Sequence, residues 1–243
     1  AELIFYNSDG SVSKFFVKEY DLNLIVHCPE LFEEDHILDL CSVDENYRQR
    51  SIEQMQRVIN VTRELQKYFP HTTCPLIVTN VGGFTSNAAL PISERNRLYE
   101  ILLNSLSQLD SSGIEIIPQT MPPFPWHMGG QQFHNIFIES SDIVEFCESE
   151  NYRVCFDVSH SKLACNHLGY SFKRFTESVA KVTAHLHLAD AKGVDGEGLQ
   201  IGDGEIDFLA LAETLGIASP SASFIPEVWQ GHKNEGEGFW KSL

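Results

Sequence analysis

Positive charge is scarce in this chain: 17 Lys and Arg stand against 34 Asp and Glu, a formal net charge of −17 over 243 residues. A field of that sign repels phosphate backbones, so nucleic acid is not an expected partner, although a local cationic cleft can exist on an acidic protein. Long apolar runs are missing as well. No stretch approaches the ~20 residues of a membrane-spanning helix, so no membrane partner is expected, and no signal peptide is visible. The cysteines Cys28, Cys41, Cys74, Cys147, Cys155 and Cys165 form no CxxC and no zinc-ribbon spacing. Several lie in apolar runs, which reads as buried, reduced thiols of a cytoplasmic protein. No GxGxxG opens a helix, and no Walker lysine follows Gly82-Gly83, so no nucleotide loop is expected. An initiator Met is lacking too. Ala1 to Tyr6 reads as a strand already under way, and the expectation is one domain, 1–243, cut from a longer protein.

What is present is an ordinary globular mix, 42% hydrophobic and 21% charged, able to bury a sizeable core. Short apolar runs occur at Leu3 to Tyr6, Leu22 to His27, Leu76 to Val81, Ile114 to Pro118, Val154 to Val158, His185 to Ala189 and Ser223 to Glu227. They lack polar alternation, which suits strands buried on both faces. Between them lie amphipathic stretches. In Asp44 to Phe69, Ser42 and Glu45 offer a capping box, and Ile52, Met55, Ile59 and Leu65 fall roughly on one face. Ser93 to Leu109, Ser141 to Glu148, Ser171 to Val182 and Asp207 to Leu215 are the other predicted helices. Such alternation predicts right-handed crossovers and a parallel sheet in an α/β fold. Seven strands, one short of a (β/α)8 TIM barrel, make that barrel the expectation, with its first strand absent from this chain.

Polar residues gather where these runs end. His27, Asn80, Gln119, Asp157 with His160 beyond it, His185 with His187 and Asp190, and Glu227 followed by Gln230 and His232 all sit at or just past strand ends. In a parallel barrel those ends form the active-site face. Taken singly, each residue has a plainer reading. A histidine near a strand end is commonly a hydrogen-bonded core residue, and an Asp before a turn is commonly a cap. Together they pair carboxylates with imidazoles at a spacing that suits a divalent ion such as Zn²⁺ or Mn²⁺. Of His185 and His187, which share a strand face, one is enough to reach a metal while the other orients it or packs.

At these residues the sequence resembles the xylose-isomerase-like TIM barrels, which include sugar-phosphate isomerases and epimerases and the AP endonucleases. Leu24–Pro29, Cys155–His160, His187–Lys192, Ile201–Asp207 and Phe224–Glu227 carry the likeness, in the family's order, over nearly the whole chain. Pro118–His127 and Glu227–Asn234 look like a barrel domain attached to N-acetylneuraminate (sialic acid) synthase-like proteins. The resemblance implies metal ligands at Asp157, His187, Glu227 and Gln119, where Gln119 stands in place of the family's Glu. It implies proton transfer by Glu227 on a sugar or sugar phosphate, and His160 is the other candidate acid or base. The setting it implies is sialic-acid-type sugar or surface-glycan biosynthesis, with an attached synthase as a partner.

Candidate substrate-binding residues are His27, Asn80, Trp126, His127, His185, Lys192, Glu197, Gln230 and His232. Trp126 and His127 belong to a Pro- and Gly-rich segment expected over the barrel mouth, and Glu197 to a glycine-rich loop, Gly193 to Gly204. The replacement at Gln119 keeps open a non-catalytic sugar-binding or regulatory module. Asn80, where the endonuclease branch has a histidine, weighs against an AP-endonuclease-like hydrolase.

Overall fold

The computed structural model describes residues 2–4, 16, 18–127 and 130–243. It divides into two compact units, Ala1–Gly83 with Pro91–Pro118, and Phe84–Leu90 with Gln119–Leu243.

The first unit is built on four parallel strands in chain order: β1 (Glu2–Ile4), β2 (Ile25–His27), β3 (Leu76–Thr79) and β4 (Glu115–Pro118). Of the first expected strand, Phe5 and Tyr6 lie outside the described residues. Val26, Ile77, Val78 and Ile117 have no exposed surface, as continuous apolar strands require. Helix α1 (Glu45–Gln66) turns Ile52, Met55, Ile59 and Leu65 inward, as the spacing predicts. Its cap corrects the expected Ser42–Glu45 box. Asp44 stands at the N-cap and accepts from the Asn46 and Tyr47 amides at 2.9 and 3.1 Å. Helix α2 (Ile92–Leu106) buries Leu98, Leu102 and Leu106.

The double glycine after β3 has a structural cause. Asp39, 7% exposed, accepts hydrogen bonds from the Cys41 and Gly83 amides. Gly82 passes over it with φ +88°, and a Cβ there would come within 2.5 Å of the Asp39 Cα. Burial pushes the Asp39 carboxyl up to about 6, against the pull of those amides and of Arg48.

The second unit carries three parallel strands, β5 (Val154–Asp157), β6 (Thr183–Leu188) and β7 (Ser223–Pro226), in the order β5-β6-β7. Around them run α3 (Ser140–Glu150), α4 (Val158–Leu168), α5 (Phe172–Val179), α6 (Phe208–Ala218) and α7 (Lys233–Lys241). Ser171 caps α5 and Asp207 caps α6 through their side chains. Phe156 of β5 lies against Phe172 and Phe175 of α5, with ring centroids 6.4 and 6.0 Å apart. Helix α4 was not anticipated. It begins directly at the end of β5, where Asp157 to His160 reads from sequence as a strand–loop corner, and it ends at Gly169 in the left-handed region.

No disulfide joins the six cysteines; Cys74 is exposed and the other five are buried.

Candidate functional site

The site lies in the second unit, at the C-terminal ends of its strands. The β5–β6 register sets Asp157 opposite His187 and Cys155 opposite His185. Because side chains two apart share a strand face, Cys155 and Asp157 form one row and His185 and His187 the next. Gln119 makes a parallel bridge with Cys155, and the Thr120 amide donates to the Cys155 carbonyl at 3.0 Å. These pairings bring Gln119, Asp157 and His187 together, and β7 delivers Glu227 immediately past its end.

The polar tips converge. Gln119 Nε2 donates to Asp157 Oδ2 at 2.9 Å and lies 3.3 Å from His187 Nδ1. His187 Nδ1 is 2.6 Å from Glu227 Oε2 and 3.6 Å from Asp157 Oδ2. The Asp157 and His187 side chains are 2% and 0% exposed, whereas Glu227 is 47% exposed. Asp157 also caps α4, its Oδ1 accepting the His160 amide at 2.8 Å. His160 Nδ1 lies 3.1 Å from the Thr120 carbonyl and 3.4 Å from Asp157 Oδ2, and Nε2 lies 3.7 Å from Glu197 Oε2.

The electrostatics follow from this packing. Burial alone raises the Asp157 carboxyl, but His160, His187 and the capped amide outweigh it and hold it at about 2. Burial disfavours charge on His187, yet the Cys155 sulfur, Glu227 and Asp157 keep its pKa well above the ordinary imidazole value. Burial likewise opposes charge on His160, and Asp157, Glu197 and Glu227 raise it.

The donor set fits a hard or borderline divalent ion: two carboxylates, one imidazole and an amide oxygen that an amide flip turns inward. Metal–ligand bonds of about 2.0–2.2 Å place neighbouring ligand atoms roughly 3–3.5 Å apart, close to the 2.9–3.6 Å separations of Asp157 with Gln119 and His187. The shorter His187–Glu227 pair holds a proton that an ion would displace.

The structure gathers Gln119, Asp157, His160, His187, Glu197 and Glu227. His185, expected at a substrate, is corrected. It has no exposed surface, places Nδ1 2.8 Å from Ser223 Oγ, and packs edge-on against His187 at 5.3 Å. It packs beside its neighbour below the strand ends.

His27 and Asn80 belong to the first unit. His27 ends β2 with Nδ1 2.9 Å from the Cys28 carbonyl, and Asn80 accepts the Gly82 amide at 3.0 Å. Trp126 and His127 form a short hairpin strand with Gly130–Gln131; their side chains lie outside what the structure describes. Lys192, Gln230 and His232 are exposed, and among the described residues none of them bonds to the cluster. Gln230 instead accepts from Lys233 at 2.9 Å.

Sequence reasoning missed two supporting residues, Thr120 and Cys155, and gave Asp190 a strand-end place but no role. Thr120 Oγ1 accepts the Asp157 amide at 3.0 Å. Cys155 lies beside His187, a signal present in its spacing of two from Asp157. Asp190 accepts the amides of Ala191, Gly202, Gly204 and Ile206 at 2.8–3.1 Å. That cage holds the glycine-rich loop, and a Cβ at Gly204 would lie 2.5 Å from the Ala191 carbonyl.

Comparison with known proteins bears on the fold. The family model described as xylose isomerase-like TIM barrel matches residues 12–242. The protein MJ1311 of Methanocaldococcus jannaschii is 28% identical over 204 residues, which are 81% of this chain and 61% of that protein, so the chain spans about three fifths of its relative's length. Among solved structures, a D-tagatose 3-epimerase-like protein has 21% identity and a TM-score of 0.64, covering 90% of this chain and 75% of that one. An L-ribulose 3-epimerase has 16% identity and a TM-score of 0.66, covering 94% and 70%. A 3-keto-D-glucoside 4-epimerase from E. coli has 14% identity and a TM-score of 0.60, covering 90% and 76%. At these identities the likeness is one of fold. No described helix is long and apolar enough to cross a membrane.

Proposed function

Because the chain belongs to the xylose isomerase-like TIM barrel family, we propose that it is a metal-dependent isomerase or epimerase of a sugar or sugar phosphate. The observation that carries this reading is the convergence of Gln119, Asp157 and Glu227 on His187, each 2.6–3.6 Å from its Nδ1, at adjoining strand ends. Asp157, His187, Glu227 and the Gln119 oxygen would hold Zn²⁺ or Mn²⁺. Such an ion, when bound, polarises a carbonyl and its neighbouring hydroxyl.

The chain's own residues do the rest. Glu227 is the ligand-set carboxylate open to solvent, so it is the one that can exchange a proton with a sugar carbon. Asp157 is held ionised and buried, and it fixes His160 through the helix cap. His160, 20% exposed, is a further group able to move a proton at the site. The sugar 3- and 4-epimerases among the structural neighbours support this substrate class.

The biosynthetic setting, a sialic-acid-type or surface-glycan route with an attached synthase, rests on the likeness of Pro118–His127 and Glu227–Asn234. A cytoplasmic location accords with the absence of disulfides among the six cysteines. One observation favours a second reading, a sugar-binding module that regulates a synthase: Gln119 supplies an amide where a second ligand carboxylate would carry a proton.

Elemental analysis tests the metal. The expected result is about one Zn or Mn per chain, lost on Asp157→Ala or His187→Ala, with deuterium from solvent entering a sugar at the carbon beside its carbonyl. No ion retained after divalent metals are supplied would sink the metal-dependent reading. Retained metal with no exchange would favour the binding module.

A further inference from the structure

Inverting a carbon beside a carbonyl takes two proton-transfer groups, one to remove the proton and one to return it on the other face. The ligand cluster has one such group to spare. Asp157 is committed, with Oδ1 on the His160 amide and Oδ2 on Gln119, and is 2% exposed. The Gln119 amide does not exchange protons with carbon. Only Glu227, 47% exposed, opens outward from the cluster.

A second carboxylate faces the same ground from a different element. Glu197 stands on the hairpin strand Gly196–Leu199, which pairs with Asp190–Lys192. Its side chain is 52% exposed, and Oε2 lies 3.7 Å from His160 Nε2, an ion-pair separation longer than a hydrogen bond. The hairpin is clamped one residue on. The Gly198 amide donates to Ser159 Oγ at 3.0 Å, in the first turn of α4, and its carbonyl accepts the Trp229 amide at 2.7 Å, two residues past Glu227. Gly198 has φ +66°, and a Cβ there would be 3.4 Å from the Trp229 backbone nitrogen. Glu197 is therefore tied to both strand ends that carry Asp157 and Glu227.

The histidine between them has a defined polarity. Its Nδ1 lies 3.1 Å from the Thr120 carbonyl, which can only accept, so Nδ1 carries a proton. Nε2 is the ring nitrogen turned toward Glu197. His160 lies at the edge of the site between Asp157 and Glu197, one-fifth exposed to water.

We propose that Glu197 is the second catalytic carboxylate of this site, acting from the His160 side while Glu227 acts from the His187 side, with His160 as the relay that resets it. This rests on the epimerase reading above. Glu197, as carboxylate, takes the proton from the C–H beside the sugar carbonyl. The C–H electron pair forms the enediolate double bond, and the carbonyl π pair moves onto oxygen. Glu227, as carboxylic acid, returns a proton to the same carbon on its opposite face, and the carbonyl re-forms. The proton on Glu197 leaves through His160 to water, and water reprotonates Glu227.

The test compares wild type, Glu197→Gln and Glu197→Asp, each supplied with Zn or Mn, on D-fructose, D-tagatose, D-allulose and an N-acylamino hexose in deuterated water. Inversion should fall by about 100-fold or more in Glu197→Gln, with KM and bound metal changed by less than about threefold. Deuterium should still enter, without inversion, the epimer whose C–H faces Glu227, and Glu197→Asp should recover part of the inversion. A merely structural role would not separate exchange from inversion. Wild-type inversion by Glu197→Gln overturns the proposal, as does loss of metal or sugar binding in that variant. A wild type that neither exchanges nor inverts any of these sugars overturns the epimerase reading itself, and this inference with it.

Discussion

Asp157 answers two readings at once. Sequence left it as either a turn cap or a metal ligand, and its two oxygens divide the work: Oδ1 caps α4 on the His160 amide, and Oδ2 lies 2.9 Å from Gln119 Nε2. Burial raises its pKa, while His160 and His187 bring it down to about 2 from the ordinary 3.8. A depressed folded-state pKa contributes stability that is present above the unfolded value and lost as pH falls through the folded one. For Asp157 this amounts to about 2 kcal/mol, present above roughly pH 4 and gone below roughly pH 2. Urea unfolding of metal-free protein across that window should show the loss in wild type and a flatter profile in Asp157→Asn. Gln119→Glu should act in opposite directions with and without metal. It sets a second carboxylate about 3 Å from Asp157, so the melting temperature of the metal-free protein should fall while affinity for Zn or Mn rises. Calorimetric titration with a thermal melt would read both, and a rise in metal-free stability would contradict the geometry.

At the scale of elements, the site depends on what holds each strand end. The Asp190 cage fixes the glycine-rich loop, Ser159 fixes its hairpin, and Asp39 fixes the turn after β3. Two glycines with positive φ separate conformation from close approach. Gly82 has φ +88° with Asp39 against its missing Cβ, whereas Gly113 has φ +77° with nothing within 4 Å. Gly113→Ala should cost about 1 kcal/mol, the penalty of left-handed backbone for an L-residue. Gly82→Ala adds a backbone clash and should cost about 3 kcal/mol or more. Denaturant midpoints of the two variants would show the difference, and equal midpoints would remove the close-approach argument. Most elements were legible because their apolar residues recur at strand or helix spacing. Helix α4 was not, because it starts without a break from β5 and its cap is the same aspartate that ends the strand.

For the whole molecule, the net charge of −17 bears on which substrates reach the site. An acidic protein slows encounter with anions, and salt screens that repulsion over about 10 Å at 0.1 M. If the substrate carries a phosphate, its kcat/KM should rise as ionic strength increases, while that of a neutral sugar stays level. A fall with salt would reveal a local cationic path that overrides the net charge.

Sequence alone determined the strand–helix alternation, the family, and the identity of the residues at the strand ends, because these depend on local spacing and residue type. Tertiary structure decided which of those residues meet. Strand register placed Asp157 opposite His187 and moved His185 one layer down onto Ser223. Long-range hydrogen bonds brought Glu197 to His160 through Ser159 and Trp229. Register and loop tethering depend on partners far away in the chain, so spacing along the sequence carries no record of them.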